Sequence, residues 1–339
     1  LKGKTLTQNE LVDFVRSKNP QERIDAYNEL FRVYSSNKAV LGEVYKSLIS
    51  DWQNESLDLR GYKSSLTVRN IGNDIDDNVV EALIKVCDKN KTIFQNYFIL
   101  KGKKLGFTKM SRYHLYAPIE LEDQKVSYDK AVHLVLDTFD AFSVDFANHA
   151  RTILNNHHVD SEVRPNKYTG AYCYGIEPQS IPYVLLSFTG TQRSVSTLAH
   201  ELGHGIHDLL AGKQDVFGFF PPLPLAETAS IFSETLLIEK LKTLYPEQAQ
   251  ELTFLQLDDL YASIIRQIKF VEFEISAHKL IREHGSVDDL STLYIKQLKE
   301  QFGNSLEVPE QFQYEWLYIP HIFQSPFYCY AYAFGNLLS

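Results

Sequence analysis

Four residues in one short segment have side chains that commonly bind a metal ion or transfer a proton. They are His200, Glu201, His204 and His207. On an α-helix, positions 200 and 204 are about 40° apart, so both imidazoles can bind one ion. Glu201 is turned away from this pair, where its carboxylate can accept a proton from water that the metal activates. The spacing therefore predicts a catalytic zinc site with Glu201 as general base.

The alternative is a surface helix on which these residues occur together by chance. The segment VSTLA before His200 is small and apolar, which indicates a packed helix. Buried histidine and glutamate need polar partners, and a metal ion provides one. His207 is on the same face as His200 but about 10 Å further along the axis, so we expect it to support the site rather than bind the ion. An ordinary surface or core position stays open for His207.

A catalytic zinc ion usually has three protein ligands, so one more must come from another segment. The segment LAETASIFSE contains Glu227 and Glu234, seven positions apart and hence on one face of a predicted helix. Both lie among small and apolar residues, where an unpaired carboxylate is costly. We expect Glu227 to be the third ligand and Glu234 to orient a ligating histidine. A solvated helix position is the alternative for Glu234.

The elements around these residues are predicted to be mostly helical. Apolar residues recur at steps of three and four through the first 110 residues and again over 127–156. Thr7 with Glu10 is a candidate capping box, and Asn78 is a candidate helix cap.

The composition changes over 163–194, which is rich in glycine, proline, tyrosine and β-forming residues. This predicts a small sheet, with strands near 170–175 and 183–188. The helix that carries the histidines should follow, with Ser194 as its N-cap and Gly212 at its C-terminal end. Further helices are predicted after the proline-rich turn that precedes Glu227, over 250–284 and over 286–303.

Composition excludes several classes of protein. The 339 residues carry a net charge of −9, which argues against a nucleic-acid partner because such proteins normally show a basic face. Three widely spaced cysteines favour reduced thiols and a cytoplasmic location. No apolar run is long enough to span a membrane. The chain begins with leucine and ends within an apolar stretch, so we expect a fragment of a longer protein.

Three segments together resemble one family of enzymes. HELGHGIH, LAETASIFSE and IPHIFQSPFYCYAYAFG, with GAYCYG and VLLSFTGTQRS before them, are similar to the oligoendopeptidase F branch of the thimet-oligopeptidase-like (M3) zinc metallopeptidases. The resemblance covers nearly the whole chain and is strongest from Gly170 to Gly335. It implies a metalloendopeptidase with one zinc ion per chain that hydrolyses internal bonds of short peptides. The ligands would be His200, His204 and Glu227, and the base would be Glu201.

The resemblance also implies a fold. This is a mainly α, zincin-like M3 fold, with an elongated helical body, a small sheet beside the HExxH helix and a deep substrate channel. Residues 1–110 would belong to a truncated N-terminal helical lobe and residues 111–339 to the catalytic region, and the two would form one continuous unit. Because M3 peptidases are typically longer at both ends, we expect the final helices to be missing. Oligomeric state is left open.

The tyrosine-rich segment 319–335 contains side chains that could stabilise a reaction intermediate. In a helix Tyr328 and Tyr332 would share a face, and in a strand Tyr330 would join them. Phenol and imidazole groups can donate hydrogen bonds to the oxyanion of a tetrahedral intermediate. The M3 family uses histidine and tyrosine donors in this region, and the match is clearest for His321, Tyr328 and Tyr332. Tyr330 is left open between this role and the core.

Two alternatives come from other classes of protein. A helical metallocarboxypeptidase of another zincin family would show an HES motif for its third ligand, and this tripeptide does not occur here. A non-catalytic peptide-binding scaffold is disfavoured by the intact Glu201. In either a peptidase or a scaffold, a strand edge near 183–188 could pair with an extended peptide.

Overall fold

The computed structural model describes residues 8–119, 125–164 and 170–339, together with Gly3, Leu6 and Lys167. Thr7 of the predicted capping box lies outside the described residues. Helices dominate the described chain, as the spacing of apolar residues predicts. They are α1 (Gln8–Asp13), α2 (Pro20–Ser36), α3 (Lys38–Gln53), α4 (Ser65–Gly72), α5 (Asp77–Lys104), α6 (Tyr128–Phe142), α7 (Val144–Asn155), α8 (Gln192–Ala211), α9 (Leu223–Leu244), α10 (Ala249–Leu260), α11 (Arg266–Arg282), α12 (Val287–Phe302), α13 (Pro320–Gln324) and α14 (Tyr330–Leu338).

Five short strands form two small sheets in the described chain. β1 (Met110–Ser111) pairs in parallel with β5 (Leu306–Glu307). The second sheet has β4 (Tyr183–Leu185) at its centre, parallel to β2 (Val159–Asp160) and antiparallel to β3 (Tyr172–Tyr174). Strands were therefore predicted correctly near 170–175 and 183–188, although both are shorter than those ranges.

The chain divides into two compact units. One contains Leu1–Ile119 and Leu257–Ala333, and the other contains Glu120–Gln256 and Phe334–Ser339. The boundary that the sequence predicts at 110/111 separates a helical lobe from a catalytic region, and these are not the same as the two compact units. That boundary stays a prediction. The second unit has a continuous apolar core, to which helices α6, α7, α8 and α9 and the strand β4 contribute.

The start of α8 differs from the sequence prediction. Ser194 is not the N-cap, because the helix already begins at Gln192 and the Thr191 hydroxyl accepts the Ser194 N–H at 3.2 Å. The Ser194 hydroxyl instead donates to the Thr191 carbonyl at 2.8 Å. At the other end Gly212 is the C-cap, and its N–H donates to the Asp208 carbonyl at 2.9 Å. The prediction for Gly212 is thus confirmed.

Other helix limits also differ from the predictions. Asn78 is not a cap, because α5 begins at Asp77 after Asp76. The block 127–156 is divided at Ser143, whose hydroxyl accepts the Phe146 N–H and starts α7. A π-helical turn, Tyr261–Ile265, interrupts the block 250–284. At Ser143 a local side-chain hydrogen bond, which apolar periodicity does not reveal, decides the limit.

The predicted fold, mainly helical with a small sheet beside the helix that carries His200, Glu201 and His204, is confirmed. This helix is α8. Val184 of β4 and Leu186 just after it lie in the same core as Val195 and Leu198 of α8. Among the described residues, no helix combines the length and apolar character needed to cross a bilayer. The elongated body and deep channel stay predictions.

Candidate active site

Helix α8 presents two histidines from a firmly buried scaffold. Its buried apolar side chains recur at helical spacing and fix its rotation about its axis. With that rotation His200 and His204 are neighbours, their ring centroids 4.9 Å apart and their planes at 82°. The buried face consists of Val195, Leu198, Ala199, Leu202 and Ile206.

Helix α9 brings Glu227 to these imidazoles. Glu227 is only 3 % exposed, and its Oε2 atom lies 3.7 Å from Nε2 of His200 and 3.9 Å from Nε2 of His204. Gly203 allows this approach: a Cβ atom there would lie 2.5 Å from the Ser233 hydroxyl and 2.8 Å from the Ala229 carbonyl oxygen. The absence of a side chain at Gly203 therefore lets the backbone of α9 approach α8 closely.

The three side chains fit a zinc ion. One ligand atom from each of His200, His204 and Glu227 lies within 4.8 Å of the others. Zinc–ligand bonds of about 2.1 Å in a tetrahedron separate ligands by about 3.4 Å, so the observed distances require only a small contraction. Two imidazoles and one carboxylate are also a ligand set that catalytic zinc uses. Within the described part of the chain, no other group of this kind occurs.

A second ring of contacts orients the candidate ligands. Nδ1 of His200 hydrogen-bonds to the Glu234 carboxylate, the contact predicted for Glu234. His204 hydrogen-bonds to the backbone of Ala226. The Ser230 hydroxyl contacts Oε2 of Glu227 at 3.3 Å. These partners leave Nε2 of each histidine directed at Glu227 and resemble the outer contacts of known metal sites.

Burial and charge act differently on the two imidazoles. Burial lowers the pKa of His200, but the hydrogen bond to Glu234 and the nearby carboxylates of Glu201 and Glu227 raise it to about 10. Burial, with the neighbouring His200 and His207, lowers the pKa of His204 to about 3. The carboxyl groups of Glu201, Glu227 and Glu234 thus surround His200, and their negative charge favours a cation at this site.

Glu201, the predicted proton acceptor, follows His200 in α8 and has a buried carboxylate. It is 5 % exposed, and its Oε2 atom has no hydrogen-bond partner among the described residues. The carboxylate is also hydrogen-bonded to the backbone of Cys173 in β3, and burial raises its pKa to about 7. An unpaired carboxylate oxygen beside a metal-ligand set is suited to binding water.

His207 does not belong to the group of candidate ligands. Burial lowers its pKa, which is the expected behaviour of a partly buried neutral imidazole. This placement agrees with the preference for a supporting role, and it leaves the choice between that role and an ordinary core position open.

The other unit gathers the predicted oxyanion donors. Nε2 of His321 lies 3.2 Å from the Tyr332 hydroxyl. The Tyr328 ring centroid lies 5.7 Å from that of His321 and 5.4 Å from that of Tyr332. Burial, followed by the charge of Arg266, lowers the pKa of His321 to about 4. The structure thus brings together His321, Tyr328 and Tyr332.

Tyr330 differs from these three residues in its surroundings. It is fully buried, and its hydroxyl accepts a hydrogen bond from the Asn73 side chain at 2.7 Å. Tyr330 is therefore a core residue, which resolves the alternative left by the sequence. Ser325 and Pro326 lie in the turn between α13 and α14.

Sequence reasoning missed several residues around the site. The Ala226 and Cys173 contacts use backbone groups, which carry no side-chain signal. Ser230 belongs to no sequence motif that would indicate its contact with Glu227. Gly335 of α14 could have been found, because a glycine within an aromatic helix suggests close packing. A Cβ atom at Gly335 would lie 2.9 Å from the Glu227 carbonyl carbon.

Comparison with known proteins identifies the family. The model of peptidase family M3 matches residues 14–336. Oligopeptidase PepF of Bacillus subtilis (strain 168) is 26 % identical over 338 residues, covering 98 % of this chain and 50 % of its own length. An oligoendopeptidase F homolog of Borreliella burgdorferi is 28 % identical over 340 residues, covering 97 % of this chain and 57 % of its own. This chain belongs to peptidase family M3.

Solved structures show the same fold. A structure of PZ peptidase A with an inhibitor superposes with a TM-score of 0.88 at 18 % identity, covering 99 % of this chain and 61 % of that one. Oligoendopeptidase F from Enterococcus faecium gives a TM-score of 0.70 at 20 % identity, with coverages of 99 % and 54 %. The resemblance seen in the motifs is thus confirmed. The chain spans about half the length of the curated relatives it matches.

Proposed function

We propose that the protein is a zinc-dependent endopeptidase that hydrolyses internal bonds of short peptides. The observation that carries this proposal is the convergence of His200, His204 and Glu227 beside Glu201, whose Oε2 atom is buried and unpaired among the described residues. The names of similar proteins support the substrate class: oligopeptidase in Bacillus subtilis and oligoendopeptidase in Borreliella burgdorferi.

The proposed mechanism assigns a task to each residue of this unit. When bound, zinc supplies a Lewis acid that lowers the pKa of water and polarises the scissile carbonyl. Glu201 accepts a proton from the attacking water and donates it to the leaving amine. His200, His204 and Glu227 hold the ion, and Glu234 and the Ala226 backbone keep the two imidazoles in the required orientation.

We assign His321, Tyr328 and Tyr332 the role of hydrogen-bond donors to the carbonyl oxygen as it becomes negative. Two observations support this. The three side chains lie in the segment that resembles the family motif, and they contact one another while each remains partly exposed. Their neighbours Phe327, Cys329 and Tyr330 are buried.

We further propose that the substrate backbone pairs with β3. The sequence pointed to the segment around 183–188, but β4 is the central strand and has partners on both sides. β3 is an edge strand, and Cys173 in it contacts Glu201. An extended peptide added to this edge would lie beside the general base. Cys87, Cys173 and Cys329 form no disulfide with one another, which supports a reducing compartment such as the cytoplasm.

A peptide-length series tests the proposed function. The zinc-loaded protein is incubated with quenched fluorescent peptides of increasing length and with a folded protein as substrate, with and without a chelator. We expect chelator-sensitive cleavage of internal bonds in the short peptides and none in the folded protein. Cleavage confined to one residue at the C-terminus would favour a carboxypeptidase. Peptide binding without cleavage would favour a scaffold.

A further inference from the structure

The turn that carries Tyr328 has an unfavourable backbone conformation. Ser325–Cys329 connects α13 to α14, and Phe327 within it has a φ of 59°. Residues other than glycine rarely adopt this left-handed backbone conformation, because their Cβ atom crowds the following carbonyl. Surrounding contacts must therefore hold the turn.

One buried carboxyl group holds the centre of the turn. Glu274 of α11 is fully buried, and its Oε1 atom accepts the Phe327 N–H at 2.8 Å. The Phe327 ring is buried as well and lies 4.7 Å from the ring of His278, one helical turn beyond Glu274. Helix α11 thus binds both the backbone and the side chain of the residue with the strained φ.

The ends of the turn have separate anchors. The Arg69 guanidinium donates to the Pro326 carbonyl at 2.9 Å and to the Ser325 hydroxyl at 2.8 Å. Beyond the turn, the Tyr330 hydroxyl is held by Asn73. Glu274 therefore acts at the one position, Phe327, that directly precedes Tyr328 and lies between these anchors.

We infer that Glu274 is a positioning residue for the reaction: it fixes the left-handed Phe327 and thereby sets the Tyr328 phenol against His321 and Tyr332. This inference rests on the proposed function of the tyrosines. Glu274 lies in the same unit as the turn and acts through Phe327.

The chemistry of Glu274 suggests its substitutions. Its Oε2 atom has no partner among the described residues, and burial raises the pKa of Glu274 to about 8. The carboxyl group therefore acts as an acceptor for one N–H, and a neutral amide can replace it. Glu274→Gln keeps this acceptor, whereas Glu274→Met keeps the volume and removes it. Tyr97→Phe is a matched control, because it removes a different buried hydrogen bond of the same unit, to Asp258 at 2.7 Å.

The experiment measures zinc content, kcat and KM on a short peptide, and hydrogen exchange of residues 325–330, in the full chain. For Glu274→Met we expect unchanged zinc content, unchanged KM and faster hydrogen exchange at Phe327. We expect kcat to fall by about tenfold, which is less than the loss caused by removing an oxyanion donor altogether. Glu274→Gln should restore both kcat and exchange protection. Tyr97→Phe should leave kcat unchanged.

Two results would overturn the inference. One is a folded Glu274→Met protein with wild-type kcat and wild-type exchange at Phe327; the other is Glu274→Gln that is as impaired as Glu274→Met. If the methionine variant does not fold, Glu274→Asp withdraws the carboxyl by one methylene, and it should show the same loss of kcat and of protection. Full activity of a folded aspartate variant would contradict the inference. Failure of the proposed function is recognised separately, because wild-type protein would then cleave no peptide.

Discussion

Nδ1 of His200 is hydrogen-bonded to the carboxylate of Glu234, which lies on the neighbouring helix. Since an imidazole that is held at Nδ1 directs its Nε2 atom outward, this contact fixes the nitrogen that faces Glu227. Two glutamates of α9 thus contact one histidine of α8. Glu227 lies beside the atom that would bind zinc, and Glu234 orients the ring from its opposite nitrogen.

Replacing Glu234 should weaken zinc binding without abolishing it. Glu234→Ala removes the partner of His200, and the loss of such a contact typically lowers metal affinity by about 10- to 100-fold. Glu234→Gln should lose less, because its amide oxygen can still accept. Competitive titration with a chromophoric chelator measures the affinity. Glu239→Ala, on an exposed part of the same helix, should bind zinc like the wild type, and equal affinity of all four proteins would refute the role of Glu234.

Replacing Glu227 should abolish stoichiometric zinc binding. Glu227→Ala leaves only two imidazoles, and two ligands hold zinc poorly in competition with buffer and water. Metal analysis after gel filtration should therefore find much less than one zinc ion per chain, while circular dichroism retains the helical signal. Full occupancy in this variant would show that Glu234 or His207 completes the ligand set.

The ligand set illustrates what the sequence can reveal. Helical periodicity alone places His200 and His204 together, and the cost of burying unpaired acids points to Glu227 and Glu234. The partner of His204 could not be predicted, because it is the backbone of Ala226. Backbone groups are present at every position, so their use depends on packing that only the structure shows.

The close contact between α8 and α9 predicts a large effect at Gly203. Gly203→Ala would place its Cβ atom 2.5 Å from the Ser233 hydroxyl and 2.8 Å from the Ala229 carbonyl oxygen. Overpacking of this kind costs about 1–3 kcal/mol, and it should also separate Glu227 from the histidines. Urea unfolding and zinc titration measure the two effects.

Gly72→Ala is the control for Gly203, because the Cβ atom would meet no described residue within 4 Å apart from its chain neighbours and its own helix backbone. Gly72 is the last residue of α4, and alanine there should be neutral or stabilising by up to about 1 kcal/mol. A Gly203→Ala protein with wild-type stability and zinc affinity would contradict the account of the helix contact.

The tyrosines should separate into two groups. Tyr328→Phe and Tyr332→Phe each remove a proposed donor, and loss of one oxyanion donor lowers kcat by about 10²- to 10³-fold. Tyr330→Phe removes the hydrogen bond to Asn73, which should cost about 1 kcal/mol of stability. It should leave kcat unchanged, because Glu274 and Arg69 still hold the turn that carries Tyr328. Steady-state kinetics and thermal unfolding distinguish the two outcomes. The assignment fails if Tyr330→Phe lowers kcat more than the other two variants do.

The tyrosine segment also marks the limit of prediction from sequence. If the segment were one helix, Tyr328 and Tyr332 would share a face, and they do lie together. They do so for another reason, because Tyr328 precedes α14 in a turn that Phe327 enters at positive φ. Such a conformation depends on Glu274 and Arg69, which are distant in sequence. Periodicity describes regular elements and not the contacts that stabilise a strained turn.

The most direct test of the account is a comparison of wild type with Glu201→Gln, in which zinc content and peptide cleavage are measured on the same samples. Glutamine keeps the shape of the side chain but cannot accept the proton from the attacking water. The account predicts one zinc ion per chain in both proteins and a loss of at least about 10²-fold in kcat for the variant. Glu201→Gln with full zinc and wild-type cleavage would contradict the assignment of Glu201 as the general base.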